Sequence, residues 1–413
     1  MSPSLIPGPG ALGHLRVLDL SRVLAGPWAS QILGDLGAEV VKVEAPGQGD
    51  DTRTWGPPFL TDSEGNTGDA AYFSACNRNK RSVTIDFAKP EGAELVRRMA
   101  AGADIVLENF KTGGLAKYGL DYENLKAVNP KLIYCSVTGF GQTGPYAHRA
   151  GYDFLIQGMG GLMSVTGHPE HMPGGGPMKV GVAVCDLFTG MYAAVAILAA
   201  VTHRERTGEG QHIDCALFDS QVAMLANQSA NWLVGGVVPE RLGNNHPNVV
   251  PYRVYPTADG HVIVACGNDG QFQRLCAALG RPELAYDERF LTNAGRIVNR
   301  QVLDDLLTEL LSEHCRDAVV TLLETVHVPC GPINTVPDVF ADRHARARGL
   351  EIELAREDGT KLSGVAFPAR LSATPASYRR APPVLGQDTQ ETLRTWLGLD
   401  EEAVARLRQD GVV

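Results

Sequence analysis

The sequence predicts a two-domain α/β protein whose larger domain is built on a Rossmann-like parallel sheet. Three observations predict this class. The chain has 413 residues, more than the roughly 250 to 300 at which a single hydrophobic core stops growing. Apolar runs typical of strands alternate with helical patterns between residues 16 and 136. A stretch rich in Gly, Pro and Asn at 234–248 then precedes a second module.

The first elements form a strand, a helix and a second strand. Residues 16–20 are an apolar run typical of a buried strand. Gly26-Pro27 opens a helix that extends to Leu36, and the run at 38–43 is the next strand. The alternation continues with strands at 82–86, 105–107 and 132–136 and a helix at 91–101. Strands separated by helices favour a parallel sheet covered on both faces.

Ligands of such sheets bind beyond the carboxyl ends of the strands. The loops at this edge are therefore the informative ones, namely 21–26, 44–49, 109–111 and 138–140. The first loop, in the sequence DLSRVLAGP, lacks the GxGxxG fingerprint, so a dinucleotide cofactor such as NAD has little support.

Asp186 stands at the start of a strongly apolar helix. A short helix at 151–161 and a loop at 168–176 precede the apolar, strand-like run 180–184, and the long helix follows at 187–200 with Asp186 in its first turn. An Asp at this point is a common helix N-cap. A helix N-terminus also favours the ionised carboxylate that a nucleophile needs. The two roles are compatible, and the residues alone leave both open.

The second module begins with a hairpin. Strands at 252–255 and 261–266 flank the turn Ala258-Asp259-Gly260. Helices follow at 272–279, 299–314 and 316–326, and the tail from Leu350 returns to short strands and a last helix at 388–397.

Composition excludes several classes of protein. A net charge of -10 argues against a surface that neutralises nucleic-acid phosphates. The eight cysteines show no CxxC pair and no zinc-type spacing, which favours reduced thiols in the cytoplasm. Residues 1–12 lack the features of an export signal, and no apolar run reaches about 18 residues. We therefore expect a cytoplasmic protein that neither binds nucleic acid nor spans a membrane.

Four cations lie near predicted strand ends: Lys80, Arg81, Lys111 and Lys117. They are either solvated surface charges or ligands for the phosphates of a nucleotide-like cofactor. His246 lies in a polar loop, where most histidines are inert, and Gly174-Gly-Gly176 is either a flexible lid or a turn. The GxSxG, HExxH, Walker and EF-hand motifs are missing from the sequence, so the residues by themselves lead no further than a two-domain α/β enzyme.

Nine segments, in order along the chain, carry a resemblance to a known family: 17–44, 77–87, 104–113, 136–146, 151–167, 181–200, 206–214, 328–334 and 382–389. Together they resemble the class III CoA-transferase family, the CaiB/BaiF group that includes formyl-CoA transferase and carnitine CoA-transferase. The resemblance covers essentially the whole chain. It implies a large CoA-binding domain formed by residues 1–225 and 341–413, a small α+β domain at 226–340 that includes the linkers, and an interlocked homodimer.

The same resemblance implies the site residues. Asp186 matches the family's nucleophilic aspartate. The positions implied to contact coenzyme A are Val23, Leu24, Ala25, Gly26, Asn109, Phe110, Lys117, Thr138 and Phe140. The substrates implied are acyl-CoA thioesters and small carboxylic acids, with no permanently bound cofactor and no metal.

The chain departs from formyl-CoA transferase at several of these positions. Ala45 and Ala88 stand where that enzyme has cations, Thr138 replaces a lysine and Leu24 replaces a glutamine. These differences imply phosphate contacts unlike those of formyl-CoA transferase and disfavour formate as a substrate.

Two further comparisons narrow the reaction. The racemase branch of the same fold, which epimerises 2-methylacyl-CoA, has a His-Asp pair where this chain has Tyr152-Asp153, so two-base proton exchange lacks one partner. A non-catalytic acyl-CoA-binding protein is the other alternative. The segments 243–252 and 266–272 and the C-terminal Asp410-Gly-Val-Val413 are similar to the succinyl-CoA:glutarate type, which implies dicarboxylates such as succinate, glutarate or itaconate.

Overall fold

The structure, a computed structural model, describes residues 10–62 and 64–413. These residues contain thirteen strands: β1 (Arg16–Asp19), β2 (Glu39–Glu44), β3 (Phe59–Thr61), β4 (Thr67–Ala70), β5 (Lys80–Thr84), β6 (Ile105–Glu108), β7 (Ile133–Thr138), β8 (Gln211–Ala216), β9 (Tyr252–Thr257), β10 (Gly260–Ala265), β11 (Cys330–Pro332), β12 (Glu351–Ala355) and β13 (Lys361–Val365).

The same residues contain seventeen α-helices: α1 (Ala25–Asp35), α2 (Ala71–Ser74), α3 (Pro90–Ala101), α4 (Tyr122–Val128), α5 (Asp153–Met159), α6 (Leu162–Val165), α7 (Val184–Thr207), α8 (Leu217–Met224), α9 (Asn227–Gly235), α10 (Asp269–Ala278), α11 (Asn293–Val298), α12 (Arg300–Ser312), α13 (Arg316–Thr325), α14 (Val336–Ala341), α15 (Arg343–Ala347), α16 (Thr389–Leu397) and α17 (Glu401–Gln409). Short 3₁₀ helices occur at Asp51–Thr54, Ala116–Tyr118 and Pro282–Tyr286.

Six of the strands form one parallel sheet in the order β5-β2-β1-β6-β7-β8. Successive strand residues belong to opposite cores: Val17 packs with α1 and α7, and Leu18 packs with α3 and α16. Both faces are thus covered, as a parallel sheet requires. The α/β prediction is confirmed, although β5 begins two residues before the predicted strand at 82–86 because Lys80 is itself buried.

The helix α7 runs through the centre of the larger core. Its buried residues recur every three or four positions, as in Cys185, Thr189, Ala193 and Ile197, and face α1 and the sheet. Among the described residues it is the one helix long and apolar enough to cross a membrane by length and composition, but eight of its residues are buried inside the protein.

Two details of α7 differ from the prediction. The helix begins at Val184, so the run 180–183 is not a strand. At Gly190 a Cβ atom would lie 2.6 Å from the Ala25 carbonyl oxygen, so only glycine allows α7 to cross this close to the start of α1. The close crossing brings the first turns of α1 and α7 together.

The chain divides into two compact units. The larger comprises the described residues up to Leu162, Val180–Val237 and His344–Val413. The smaller comprises Met163–Lys179 and Val238–Arg343 and has its own core beneath the antiparallel sheet β11-β10-β9, which contains the predicted hairpin.

The predicted ranges 1–225, 226–340 and 341–413 differ from these bounds. Their start, residues 1–9, lies outside the described residues. Residues 163–179 group with the smaller unit because their backbone pairs with a later segment: the Gly243 amide donates to the Gly167 carbonyl at 3.0 Å. The sequence analysis predicted α16 as the last helix and missed α17, which follows it and in which only Val404 is buried.

Candidate active site

The loops that follow the parallel strands enclose a cavity of about 470 Å³ in the larger unit. This volume is typical of a small-molecule site. Eight of the ten predicted site residues line the cavity: Val23, Leu24, Ala25, Asn109, Phe110, Lys117, Thr138 and Asp186.

The other two predicted contacts, Gly26 and Phe140, are not among the lining residues. Gly26 packs on the preceding loop, where a Cβ atom would lie 2.4 Å from the Ser21 side chain. The Phe140 ring packs against Tyr146 and Phe218. Both residues therefore stand behind the cavity wall.

Asp186 is the third residue of α7, and the N-cap position is Ala183, whose side chain cannot cap. The N-cap role considered for Asp186 is therefore wrong. Asp153, at the start of α5, caps α7 instead: its Oδ1 accepts from the Cys185 amide at 2.8 Å and from the Asp186 amide at 3.4 Å. Its Oδ2 accepts from Gln157 Nε2 at 2.6 Å, which fixes the carboxylate.

The environment of Asp186 opposes its ionisation. Burial, and secondly the negative charge of Asp153, raise the pKa of Asp186 from 3.8 to about 7. No cation within residues 10–62 and 64–413 offsets these two effects. A carboxylate of this basicity loses its proton near neutral pH, and a strongly shifted group in a cavity wall marks a functional site.

Tyr72, in α2, belongs to the same electrostatic environment. Burial and the charge of Asp186 raise the pKa of Tyr72 to about 12, so its hydroxyl remains a hydrogen-bond donor at physiological pH. The Trp55 ring packs edge-on against it, with 5.5 Å between the ring centroids. Sequence reasoning missed both residues, because neither follows a strand of the parallel sheet.

Four cations line the cavity, against two carboxylates, Asp51 and Asp186. The cations are Arg22, Lys111, Lys117 and Arg149. Arg149 was missed because it lies well beyond the strand end at 138–140; its guanidinium stacks on Tyr146, 4.7 Å from the ring centroid. This excess of positive charge suits a ligand that carries several phosphate charges.

The other two predicted cations serve the fold. Lys80 is fully buried, and its Nζ contacts Asp19 Oδ2 at 3.2 Å and Asn77 Oδ1 at 2.8 Å. Arg81 pairs with Glu391 at 3.1 Å at the amino edge of the sheet. The idea that these two hold phosphates is wrong because both lie away from the cavity and are already paired.

Asn109 and Thr138 shape the cavity through the backbone. Asn109 Oδ1 accepts from the Arg22 amide at 2.8 Å, and its Nδ2 donates to the Arg22 carbonyl at 2.6 Å. Thr138 Oγ1 accepts from the Gly141 amide at 2.9 Å. Asn109 therefore joins the loops after β1 and β6, and this pairing was not visible in the sequence.

His246 and the candidate lid Gly174-Gly-Gly176 lie in the smaller unit. His246 Nδ1 accepts from the Asn248 amide at 3.0 Å and its ring packs on Tyr252, a structural role in a tight loop. Gly174 and Gly176 both have positive φ, 75° and 137°. Which loop closes over substrate stays a prediction.

Comparison with known proteins places the chain among relatives along nearly its full length. Residues 12–389 match the profile of CoA-transferase family III. The succinate–glutarate CoA-transferase of Agrobacterium fabrum is 55% identical over 383 residues, 92% of this chain and 94% of the relative. The succinyl-CoA:glutarate CoA-transferase of Mus musculus is 43% identical over 402 residues, 97% of this chain and 90% of the relative. The crystal structure of a CAIB/BAIF family protein from Brucella suis is similar with a TM-score of 0.83 at 54% identity, covering 94% of this chain and 100% of that chain.

Proposed function

Because the chain belongs to CoA-transferase family III and is a CoA-transferase, we propose that it moves coenzyme A between two dicarboxylic acids, with Asp186 as the covalent nucleophile. Family III CoA-transferases use CoA thioesters as substrates with no bound cofactor. The observation that carries the assignment of Asp186 is its position: it is a carboxylate of raised pKa that lines a cationic cavity.

Succinate and glutarate are the proposed acids. Both relatives compared above are named for succinate or succinyl-CoA together with glutarate. Their high identity over almost the whole chain supports the same pair here rather than formate.

The first half of the reaction removes the donor acid. The Asp186 carboxylate attacks the thioester carbonyl of the donor acyl-CoA, and the C–S bond breaks to give a mixed anhydride and a CoA thiolate. The thiolate then attacks the aspartyl carbonyl. The donor carboxylate leaves, and Asp186 carries coenzyme A as a thioester.

The second half loads the acceptor. The acceptor carboxylate attacks the aspartyl thioester, which gives a second anhydride and again releases the thiolate. Attack of the thiolate on the acceptor's acyl carbonyl forms the new acyl-CoA and returns Asp186 as a carboxylate. One thioester replaces another, so the protein has chiefly to stabilise oxyanions and to exclude water.

Three features of the cavity would support these steps. The Asp153 cap fixes the first turn of α7 and so orients Asp186. The protonated Tyr72 hydroxyl is a donor in the environment of the nucleophile. The cations Lys117 and Arg149 would bind the phosphates of coenzyme A.

The transferase is favoured over the other two candidates by specific residues. A racemase of this fold needs a second base, and this chain has the exposed Tyr152 in place of the histidine before Asp153. A non-catalytic binding protein would gain nothing from a half-buried acid in its cavity wall with no cation to offset its charge, because shielding such a carboxylate from water costs stability.

We also propose an interlocked homodimer in the cytoplasm. Two faces of the larger unit expose large apolar side chains that a partner chain would cover: Met191, Tyr192 and Val195 on α7, and Trp232, Leu233 and Val234 on α9. The eight cysteines are all free, and six are buried, which suits a reducing compartment. Native mass spectrometry should detect a dimer that gives no monomer on dilution, and a concentration-dependent monomer would contradict the interlocked form.

One assay separates the candidate functions. The protein is mixed with succinyl-CoA and, in turn, glutarate, itaconate, formate and acetate, and the acyl-CoA products are identified by mass spectrometry. Glutaryl-CoA formation that requires Asp186 supports the proposal. Loss of optical activity from a 2-methylacyl-CoA would indicate the racemase instead, and binding with neither change would indicate a non-catalytic protein.

A further inference from the structure

A strained residue stands in the wall of the cavity that contains Asp186. Val23 has a φ of 71°, in the left-handed region. β-branched residues almost never adopt this conformation because of steric clashes with the backbone. Its neighbours Arg22, Leu24 and Ala25 line the same cavity. Strain of this kind persists only where the surroundings impose it, and it concentrates at functional sites.

Asp50 imposes the conformation from behind the wall. The Val23 amide donates to both carboxylate oxygens of Asp50, at 3.3 Å and 3.2 Å. Asp50 is itself held by the Thr52 amide at 3.0 Å and the Thr52 hydroxyl at 2.7 Å. On the other side of Val23, the carbonyl faces Cys76 Sγ at 3.6 Å. Asp50 does not line the cavity.

Lys42 connects Asp50 to the start of the same loop. Its Nζ lies 2.8 Å from Asp50 Oδ2 and donates to the Ser21 carbonyl oxygen at 2.6 Å. The Lys42 and Asp50 side chains are both fully shielded from solvent. One buried ammonium therefore fixes Ser21 directly and Val23 through Asp50.

The charge on Asp50 is permanent at physiological pH. Burial opposes its ionisation, but Lys42 outweighs burial and lowers the pKa of Asp50 to about 2. Asp50 is thus an acceptor for the Val23 amide under all conditions in which the enzyme works.

We propose that Asp50 and Lys42 are positioning residues for CoA transfer, holding the loop 21–25 in the strained conformation that binds the acyl-CoA. This inference rests on the proposed function of the cavity. The pair touches no substrate and acts through the backbone of Val23. A glycine at position 23 would adopt the same φ without strain, but it would leave the loop free to sample other conformations. A valine held by Asp50 restricts the loop to a single conformation for ligand binding.

The test compares Asp50→Ala with a matched control, Asp69→Ala. Asp69 is also a largely buried carboxylate, but it pairs with Arg53 and Arg356 and makes no contact with Val23. Both variants should lower the unfolding temperature. Only Asp50→Ala should raise the KM for succinyl-CoA and the calorimetric Kd for coenzyme A, by about tenfold or more. Equal KM changes in the two variants would overturn the proposal.

Val23 supplies a second test that does not need Asp50→Ala to fold. Val23→Gly and Val23→Ala both remove the methyl groups, but alanine remains strained at positive φ and glycine does not. The glycine variant should therefore unfold at the higher temperature, despite its greater freedom in the unfolded chain. If the alanine variant is the more stable of the two, the clamp stores no strain and the proposal fails.

The measurements separate failure of this inference from failure of the proposed function. Wild-type protein that binds coenzyme A without transferring it refutes the transferase mechanism, while the Kd values still test the clamp. Wild-type protein that transfers coenzyme A, together with an Asp50→Ala variant of unchanged KM and Kd, refutes the clamp alone. Protein that neither binds nor transfers refutes both.

Discussion

Two aspartates near the same edge of the sheet, the buried Asp50 and the half-buried Asp186, behave in opposite ways. Asp50 has the ammonium of Lys42 at 2.8 Å, and its pKa falls to about 2. Asp186 has another acid, Asp153, as its electrostatic neighbour, and burial with that charge raises its pKa to about 7. An acid buried with a cation is a permanent structural charge, whereas an acid buried beside an acid exchanges its proton near neutrality and can react.

Other acids show how far this contrast extends. Glu44 resembles Asp50, because Arg53 and Lys42 outweigh burial and lower its pKa. Glu108 resembles Asp186 in part, since burial raises its pKa to about 7. Its Oε2, however, accepts from the Phe110 amide at 2.8 Å, and it lies outside the cavity that Asp186 lines. Glu108 lines a separate cavity of about 270 Å³, so a raised pKa in a cavity wall does not by itself identify the nucleophile.

The largest expected effect comes from neutralising each aspartate in turn. Asp186→Asn should lower kcat for CoA transfer by at least about 10³-fold, because the nucleophile is gone. The same change at Asp50 should leave kcat nearly unchanged, because Asp50 touches no substrate; it should lower the unfolding temperature and raise the KM for succinyl-CoA, because Lys42 loses a charged partner and the Val23 amide a charged acceptor. Steady-state kinetics with succinyl-CoA and glutarate measure the kinetic constants of each variant, and thermal unfolding measures its unfolding temperature. An Asp186→Asn enzyme that retains turnover would show that Asp186 is not the nucleophile, and the contrast between the two aspartates would fail.

Cations should divide in the same way into those that line the cavity and those in buried ion pairs. Arg149→Ala, in the cavity, should raise the KM for succinyl-CoA by roughly tenfold with little change in unfolding temperature, through loss of a charge-assisted phosphate contact. Arg78→Ala removes the partner of the buried Asp35 and should lower the unfolding temperature without changing KM. If the two variants exchanged these effects, the division between ligand charges and structural charges would be wrong.

The pH dependence of the reaction should show how the charge of Asp153 affects the pKa of Asp186. Asp186 must be ionised to attack, so kcat/KM should fall as the pH drops below about 7. Asp153→Asn keeps an oxygen that can cap α7 but removes the negative charge, so the pKa of Asp186 should fall and the acidic limb should move to lower pH. A limb at the same pH in both enzymes would mean that Asp153 acts only as a cap.

The smallest effect is on stability. The folded state raises the pKa of Asp186 above its ordinary value of 3.8, so the folded chain binds the proton more tightly than the unfolded chain does. Stability is therefore lost as the pH rises from about 4 to about 7, and the loss is complete above that range. Asp186→Asn avoids it and should unfold at a higher temperature than wild type at about pH 8, with the difference shrinking towards pH 5. A difference that does not vary with pH would contradict the raised pKa.

The sequence predicted the parallel sheet and the loop positions well because both depend on local patterns. Alternating strands and helices need no knowledge of distant contacts, and the carboxyl edge of the sheet follows from that topology. Eight of the ten site residues that the family resemblance implied line one cavity at this edge.

The rest depends on contacts between residues distant in the sequence. Asp153 caps α7 by accepting from the Cys185 amide, which is 32 residues later in the sequence. Asn109 accepts from the Arg22 amide, which is 87 residues earlier. Lys80 appeared to be a surface or ligand charge, and only the fold brings Asp19 to it and buries it. Tyr72 and Arg149 carry no motif that would set them apart from other polar residues of the sequence. Charge pairing, which separates Asp50 from Asp186, is likewise invisible until the chain has folded.

The most direct measurement is the mass spectrum of the enzyme quenched in acid during turnover with succinyl-CoA and then digested. The peptide that contains Asp186 should carry coenzyme A as a thioester, and the peptide that contains Asp50 should be unmodified. An adduct on any other side chain, with the Asp186 peptide unchanged, would contradict the central claim.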